Sequence, residues 1–291
     1  MQTCATIEDI RAVLATWRAK GERIAFVPTM GNLHAGHLRL VQHARTVASR
    51  VVVSIFVNPL QFGPQEDFQR YPRTEQADAD ALRAASADVL FLPSVQVMYP
   101  RPLETTTQVE VPGISNQLCG AFRPALFRGV TTVVARLFNI VQPTVAIFGE
   151  KDFQQLFIIR RMVEDLAIPV DIIGVPTERE SQGLALSSRN GYLTSLQRQQ
   201  ANALYAVLTQ IARRIEGGAA QGYAELERQA VEDLKNQGFR PDYVAIRRVA
   251  DLMPPREGEA GELVVLAAAW LQDTRLIDNL RILPGRQTQE T

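Results

Sequence analysis

Apolar positions in residues 1–176 switch repeatedly between helical and strand spacing. Apolar residues at every third or fourth position predict helices over 6–20, 36–49, 74–87, 129–141 and 152–166. Short apolar runs predict strands over 24–27, 51–57, 89–92, 106–111, 145–148 and 170–175. The run VVVSIFV at 51–57 is typical of a strand buried on both faces of a parallel sheet. The alternation predicts an α/β fold with a doubly wound parallel sheet of right-handed βαβ units.

The pattern changes after residue 177. Two long amphipathic segments predict helices over 196–216 and 223–237. A strand over 242–248 follows, and then a hairpin formed by 263–271 and 275–282. These elements predict a smaller C-terminal α+β domain over residues 177–291, after a first domain over residues 1–176. The last residues, PGRQTQET, are expected to be frayed.

Composition narrows the class of protein. Of 291 residues, 46% are hydrophobic and 21% are charged, which excludes disorder as the whole description. The 31 basic residues balance the 31 acidic ones, so no nucleic-acid partner is expected. Cys4 and Cys119 are too few for a disulfide framework and lack metal-site spacing. Because no apolar run is long enough to span a bilayer and the N-terminus lacks a secretory pattern, we expect a cytoplasmic protein without membrane contact.

Candidate chemistry begins where the first long strand of the predicted sheet ends. The string PTMGNLHAGH leads from strand 24–27 into helix 36–49, which places His34 and His37 at the first helical turn. The unpaired N–H groups and the positive dipole end of such a turn favour phosphate oxygens. Gly31 allows the chain to turn, and Gly36 allows a ligand to approach closely. The two imidazoles can donate hydrogen bonds to charge that develops on a phosphate.

The histidines have other interpretations. His34 and His37 have the spacing of half a metal site, but no histidine elsewhere and no cysteine cluster completes it. A purely structural role for both is a second alternative. His43 lies near the far end of the same helix and is expected at the surface or near the C-cap.

Three further strings carry candidate residues. Lys151, one of only three lysines, follows a predicted strand in GEKD, with Asp152 as the predicted N-cap of the next helix. It supplies a point charge beside phosphates, unless it is an ordinary surface lysine. LSSRN at 186–190 suits a mobile lid over a triphosphate, or alternatively an ST turn with a surface arginine. Gln61 and Gln155 follow strand ends, where neutral amides suit a small polar substrate.

Taken together, these strings resemble the pantoate–β-alanine ligase family. The resemblance rests on PTMGNLHAGH, SIFVNPLQF, YPRT, FRGV, FGEKDFQQL, GLALSSRNGYL and AAWLQDTRLIDN, in order over nearly the whole chain. It implies a Rossmann-like fold, shared with a wider group of nucleotidyltransferases, and a reaction in two steps. ATP and pantoate would give pantoyl adenylate and pyrophosphate, after which β-alanine would attack the acyl carbon to give pantothenate and AMP. Mg²⁺ dependence and a homodimer are also implied.

The resemblance implies roles at the phosphates of ATP. His37 matches the residue described as proton donor, and His34 and Lys151 match its partners on the phosphates. We expect His37 to stabilise developing charge rather than to act strictly as an acid. The implied ATP-binding residues are Met30, Gly31, Asn32, Leu33, His34, Ala35, Gly36, His37, Gly149, Glu150, Lys151, Asp152, Glu178, Leu186, Ser187, Ser188 and Arg189.

The resemblance also implies a site for the acid substrate and a metal contact. Gln61 and Gln155 match the two glutamines that contact pantoate, and Gln61 also lies near the β-alanine site. Asn58 is a further candidate for the pantoate pocket. Asp78 is a candidate for an indirect contact with the metal.

The chain departs from the family pattern at three positions, and two other functions stay open. Ala35 stands where an acidic residue is common, Leu126 where a histidine is common, and Glu178 where an apolar residue near the adenine is common. One alternative is a related nucleotidyltransferase that makes a dinucleotide cofactor from a phosphomonoester; the neutral amides of Gln61 and Gln155 argue against it. The other is a catalytically inactive nucleotide-binding regulator, which would not need His34, His37, Lys151 and Arg189 together.

Overall fold

The chain divides into two compact units. The computed structural model describes residues 1–64, 66–217, 222–256, 259 and 261–282, so the tail expected to be frayed lies outside the described residues. The units are Met1–Glu178 and Arg179–Thr291. The boundary expected from the sequence lies two residues earlier.

The first unit alternates strands and helices. Its elements are β1 (Gln2–Cys4), α1 (Ile7–Arg18), β2 (Ile24–Thr29), α2 (Ala35–Val47), β3 (Arg50–Ile55), α3 (Glu75–Ala84), β4 (Val89–Phe91), α4 (Val95–Met98), α5 (Cys119–Phe122), α6 (Leu126–Val141), β5 (Val145–Gly149), α7 (Phe153–Asp165) and β6 (Asp171–Val175). A 3₁₀ turn at Pro59–Gln61 follows β3, and another at Glu150–Asp152 follows β5. The sequence did not predict β1, because three residues are too few to show the alternation of apolar and polar positions that indicates a strand.

These six strands form one parallel sheet in the order β1-β4-β3-β2-β5-β6. From β2 the chain adds β3 and β4 on one side, and then returns to add β5 and β6 on the other. The direction of winding therefore reverses between β2 and β5. In open parallel sheets, ligands bind at the carboxyl ends of the strands beside such a reversal. The predicted doubly wound parallel sheet is confirmed.

The centre of the sheet is buried on both faces, as the apolar run at 51–57 predicts. Val51, Val52 and Val53 have no exposed surface, although successive side chains of a strand point to opposite faces. Helix α6 is also largely buried, and its buried residues include the polar Thr131 and Thr132. The central strands and α6 are thus a rigid frame for the segments that follow each strand.

The predicted strand over 106–111 is wrong. The structure has irregular backbone there, between a 3₁₀ turn at Leu103–Thr105 and another at Ile114–Asn116. The main-chain N–H of Val109 donates to Thr132 Oγ1 at 2.9 Å, and its carbonyl oxygen accepts a hydrogen bond from the Thr131 hydroxyl. Two threonines of α6 therefore satisfy the backbone groups that a strand neighbour would otherwise bind.

The second unit has an antiparallel sheet. Its elements are α8 (Ser195–Glu216), α9 (Tyr223–Asn236), β7 (Arg240–Arg248), β8 (Leu263–Leu271) and β9 (Thr274–Ile282). The three strands pair in the order β7-β8-β9, and both helices share one apolar core with them. The predicted α+β elements are confirmed. Of the helices that the structure describes in either unit, none combines the length and the apolar character needed to cross a membrane.

Candidate active site

The loop after β2 has a conformation that depends on glycine and on a distant carboxylate. Gly31 has φ +82°, and a Cβ at this position would lie 2.9 Å from Ile55 Cγ2. The main-chain N–H groups of Asn32 and Leu33 each donate to a carboxylate oxygen of Asp78, at 2.8 Å. Asp78 is buried on α3, so this helix holds the loop in place through two charge-assisted hydrogen bonds.

This loop presents two imidazoles at the start of α2. His34 is at the N-cap and His37 in the first turn, with ring centroids 4.1 Å apart. The main-chain N–H of His34 donates to His37 Nδ1 at 3.3 Å. A neutral imidazole that accepts at Nδ1 carries its proton on Nε2, so His37 offers an Nε2–H donor. Gly36 leaves room for the His34 ring, since a Cβ there would lie 3.0 Å from it.

Both imidazoles are neutral at physiological pH. Burial, with the nearby His34 and Lys151 adding to it, lowers the pKa of His37 to about 3. Burial also lowers the pKa of His34 to about 4; Lys151 acts in the same direction and Asp152 against it. Each ring therefore carries a single N–H and no net charge, so neither is a protonated imidazolium that could act as an acid.

Lys151 lies just after β5, the strand that neighbours β2 on the side opposite to β3. It is half-buried in the 3₁₀ turn that follows β5, and its ammonium lowers the pKa of both imidazoles, which places it within electrostatic reach of both. The segments after β2 and β5 thus meet where the winding of the sheet reverses. Asp152 has the predicted N-cap position of α7, although its side chain makes no capping hydrogen bond.

Glu178 also lies beside the histidine loop. A Cβ on Gly36 would be 3.7 Å from Glu178 Cβ, and a Glu178 carboxylate oxygen lies 3.6 Å from Arg39 Nε. This half-exposed ion pair contributes little to stability. The position nevertheless brings the backbone after β6 to the start of α2, next to the two imidazoles.

The turn after β3 carries a buried amide network. Asn58 Nδ2 donates to Gln61 Oε1 at 3.1 Å and to the Gly129 carbonyl at 3.0 Å. Asn58 Oδ1 accepts from the Tyr99 hydroxyl at 2.9 Å. Gln61 Nε2 donates to Met30 Sδ at 2.9 Å, just after β2. Gln61 is therefore brought to the loop that carries the histidines.

The two neighbouring glutamines of α7 differ. Gln154 is buried; its Nε2 donates to the carbonyls of Ile114 and Gln117, and its Oε1 accepts from the Cys119 N–H. It therefore holds the loop before α5. Gln155, the predicted substrate contact, is half-buried on the same turn. Residue type does not separate the two, because both are amides in the first turn of one helix. Only the family resemblance singles out Gln155.

The predicted lid segment lies near the start of the second unit. Ser187 caps a 3₁₀ turn at Ser188–Tyr192, and its hydroxyl accepts from the Arg189 N–H at 3.3 Å, so the ST-turn alternative describes the local backbone. Arg189 is half-buried instead of lying fully at the surface. The buried Asn190 donates to the Ala185 carbonyl at 3.0 Å and holds the base of the turn.

A protein-held metal is not supported by the donor set. Within the part of the chain that the structure describes, no three histidine, cysteine, aspartate or glutamate side chains are grouped to hold an ion. Both oxygens of Asp78 are already engaged by N–H donors. The metal-site alternative for the histidine pair therefore finds no third ligand among the described residues.

The fold and the site together define a class: an α/β protein with a Rossmann-like sheet, whose candidate site lies where such sheets bind nucleotides. Comparison with known proteins narrows this class. The family model "Pantoate-beta-alanine ligase" matches residues 2–281. A pantothenate synthetase of Shewanella amazonensis is 55% identical over 280 residues, which are 96% of this chain and 99% of the relative. The chain therefore belongs to the pantoate–β-alanine ligase family, and the predicted family and enzyme class are confirmed.

Solved structures agree with this assignment. A pantothenate synthetase from Thermus thermophilus has a TM-score of 0.89 and 47% identity, with 98% of this chain and 100% of that chain covered. A pantoate–β-alanine ligase from Francisella tularensis has a TM-score of 0.80 and 34% identity, with 96% and 97% covered. The Francisella structure is a complex with beta-gamma ATP and beta-alanine.

Proposed function

We propose that this chain is an ATP-dependent ligase that condenses pantoate with β-alanine to pantothenate through a pantoyl adenylate, with release of pyrophosphate and AMP. Membership of the family supports the reaction. The observation that carries the proposal to particular residues is the meeting of His34, His37 and Lys151 at the reversal point of the parallel sheet. This is an anion site built from a helix N-terminus, two neutral N–H donors and one cation.

The first step joins two anions. A carboxylate oxygen of pantoate attacks the α-phosphorus of ATP, the bond to the bridging oxygen breaks, and pyrophosphate leaves with the electron pair. Pantoate is already ionised at neutral pH, so this step needs no general base. Its barrier is electrostatic, and groups that hold the growing negative charge lower it.

The structure supports a stabilising role for His37 in this step. With a pKa near 3 and Nδ1 occupied as an acceptor, its ring has one proton, on Nε2, to direct at phosphate oxygen. His34 and Lys151 add a second ring and a positive charge. Bound phosphates would raise both imidazole pKa values, because a neighbouring negative charge favours the protonated ring. For the segment 186–189 of the second unit we propose contacts with the triphosphate, and for that unit a lid role.

The second step forms the amide. The free amine of β-alanine attacks the acyl carbon of the adenylate, the carbon–oxygen bond to AMP breaks, and the nitrogen loses a proton. Gln61 and Gln155 are proposed to hold the hydroxyls and carboxyl oxygens of pantoate. Neutral amides suit that ligand, since they bind oxygen atoms without the charge that a phosphomonoester would require.

Mg²⁺ is proposed to arrive as the counterion of ATP. Mg²⁺ keeps several waters and is commonly held by substrate phosphates and one or two carboxylates. Because the oxygens of Asp78 already accept hydrogen bonds from the loop after β2, we assign this residue to loop positioning. A homodimer and a cytoplasmic location stay predictions, to be checked by sedimentation and by cell fractionation.

The test of the reaction uses purified protein with ATP, Mg²⁺ and pantoate. Without β-alanine, this mixture should release pyrophosphate up to one equivalent per site. Continuous formation of AMP should require addition of β-alanine. Turnover of a phosphomonoester to a dinucleotide, with no response to pantoate, would instead support the related nucleotidyltransferase. Tight ATP binding without turnover of any carboxylic acid would support the inactive regulator.

A further inference from the structure

The amide of Asn58 has its full set of hydrogen-bond partners. Both hydrogens of Nδ2 are used, one on Gln61 Oε1 and one on the Gly129 carbonyl. Oδ1 accepts twice, from the Tyr99 hydroxyl and from the Leu60 N–H at 3.3 Å. Asn58 is 1% exposed. It therefore has no donor or acceptor left for a direct contact with a substrate.

Main-chain groups set which way this amide points, and the Tyr99 hydroxyl helps to hold its oxygen in that orientation. A main-chain N–H can only donate and a main-chain carbonyl can only accept. The Leu60 N–H therefore requires the oxygen of Asn58 on its side, and the Gly129 carbonyl requires the nitrogen on the other. The Tyr99 hydroxyl must then donate a hydrogen bond to Oδ1, and Gln61 Oε1 must accept one from Asn58 Nδ2.

The orientation of the Gln61 amide follows from these hydrogen bonds. With Oε1 occupied by Asn58, the amide turns Nε2 toward Met30 at the carboxyl end of β2. A thioether sulfur is a weak acceptor, so a ligand oxygen that replaces it gains a stronger hydrogen bond. Gln61 is thus presented to the site as a donor and not as an acceptor.

We infer that Tyr99 is a positioning residue that acts through Asn58 to hold Gln61 with its amide hydrogens toward the bound acid. Tyr99 is 3% exposed, and its oxygen reaches Asn58 over a shorter distance than the Leu60 nitrogen does. Its ring packs on Phe56, with centroids 6.0 Å apart, so the hydroxyl is held in one place. The inference rests on the proposed function, because it takes pantoate as the ligand of Gln61.

Tyr99→Phe removes the hydroxyl and keeps the ring. Loss of one net hydrogen bond predicts a rise of roughly 3- to 10-fold in the KM for pantoate. The KM for ATP and kcat should stay within about twofold, because His37 and Lys151 are not part of this bond network. The matched control is Tyr223→Phe in the second unit. Its hydroxyl is buried without a hydrogen-bond partner among the described residues, so all three constants should be unchanged.

A double-variant cycle separates positioning from general structure. In a Gln61→Ala background, Tyr99→Phe should leave the pantoate KM unaltered, because the group it positions is gone. The same factor in both backgrounds, parallel rises in the KM for pantoate and ATP, or an unchanged pantoate KM in Tyr99→Phe would each overturn the inference. Wild-type protein that releases no pyrophosphate with pantoate would overturn the proposed function and this inference with it.

Discussion

Two segments of the first unit reach the same end of the sheet but are held by different means. The loop after β2 is fixed at its main chain, by Gly31 and by the two hydrogen bonds that Asp78 accepts. The turn after β3 is fixed through a side chain, since Asn58 joins it to α6 and to Tyr99. The first arrangement leaves the side chains of the loop free for chemistry. The second uses up one side chain so that another, Gln61, has a single orientation.

This difference predicts that substitutions in the two segments affect different kinetic properties. Substitutions in the histidine loop should act mainly on the phosphate chemistry, because the imidazoles and Lys151 face that step. Substitutions around the turn after β3 should act mainly on recognition of the acid. The following variants test that division, from the largest expected effect to the smallest.

His37→Ala should have the largest effect. Loss of one preorganised N–H donor predicts a fall of about 10²–10³ in the rate of adenylate formation, measured as pyrophosphate release in a single turnover. Lys151→Ala should fall within the same range, for loss of the positive charge. The control is His43→Ala on the same helix α2, outside the proposed site. Pyrophosphate release near the wild-type rate in His37→Ala would contradict the assignment.

Gly129→Ala tests the turn after β3. A Cβ at this position would lie 2.4 Å from the Leu60 carbonyl oxygen and 2.6 Å from the Gln61 nitrogen, so α6 and the turn must separate. We expect a loss of about 3 kcal/mol in the free energy of unfolding and a KM that rises more for pantoate than for ATP.

The matched control is Gly63→Ala in the following loop. There the nearest atom, Glu66 Oε1, would be 3.5 Å from the new Cβ, which is ordinary contact. Urea denaturation of both variants gives the comparison. Equal midpoints for the two variants would show that the close approach of α6 is unimportant.

Asp78→Asn tests the loop after β2. An amide offers one oxygen where two N–H groups need an acceptor, and its NH₂ group faces a donor. One unsatisfied N–H predicts a loss of about 1–2 kcal/mol in the free energy of unfolding and a higher KM for ATP. Asp80→Asn, exposed on the same helix, should change neither. An effect on the pantoate KM alone would contradict the division between the two segments.

The pH dependence of stability is a separate test of the histidine loop, outside that order of effects. An unfolded histidine has a pKa of about 6.5, whereas His37 and His34 have pKa values of about 3 and about 4 in the folded protein. Between these limits the unfolded chain binds more protons, so stability falls as pH drops from 7 toward 4. A His34→Gln, His37→Gln double variant should lose less in Tm between pH 7 and pH 5 than the wild type does. Parallel Tm curves would show that the rings are not desolvated.

Much of the site was accessible from the sequence because its chemistry is local. His34 and His37 lie in one string that follows a recognisable strand, and Lys151 stands out because lysine is scarce in this chain. The carboxyl ends of parallel strands meet at one edge, so the strings after β2, β3 and β5 were expected to lie together. The strand predicted over 106–111 failed for the opposite reason: its backbone partners are hydroxyls of Thr131 and Thr132, which no period reveals.

The sequence alone determined the α/β class, the order of most elements, the family and the residues with reactive groups, since these depend on periodicity and on contiguous motifs. Only the tertiary structure decided which polar residues are already satisfied. It showed that Gln154 is already hydrogen-bonded and that Asp78 holds the loop after β2. It also showed that Tyr99 bonds to Asn58, 41 positions earlier in the chain, which in turn bonds to Gln61. A buried polar atom takes its partner from whatever the fold places within about 3 Å, and that neighbour is set by packing between distant segments.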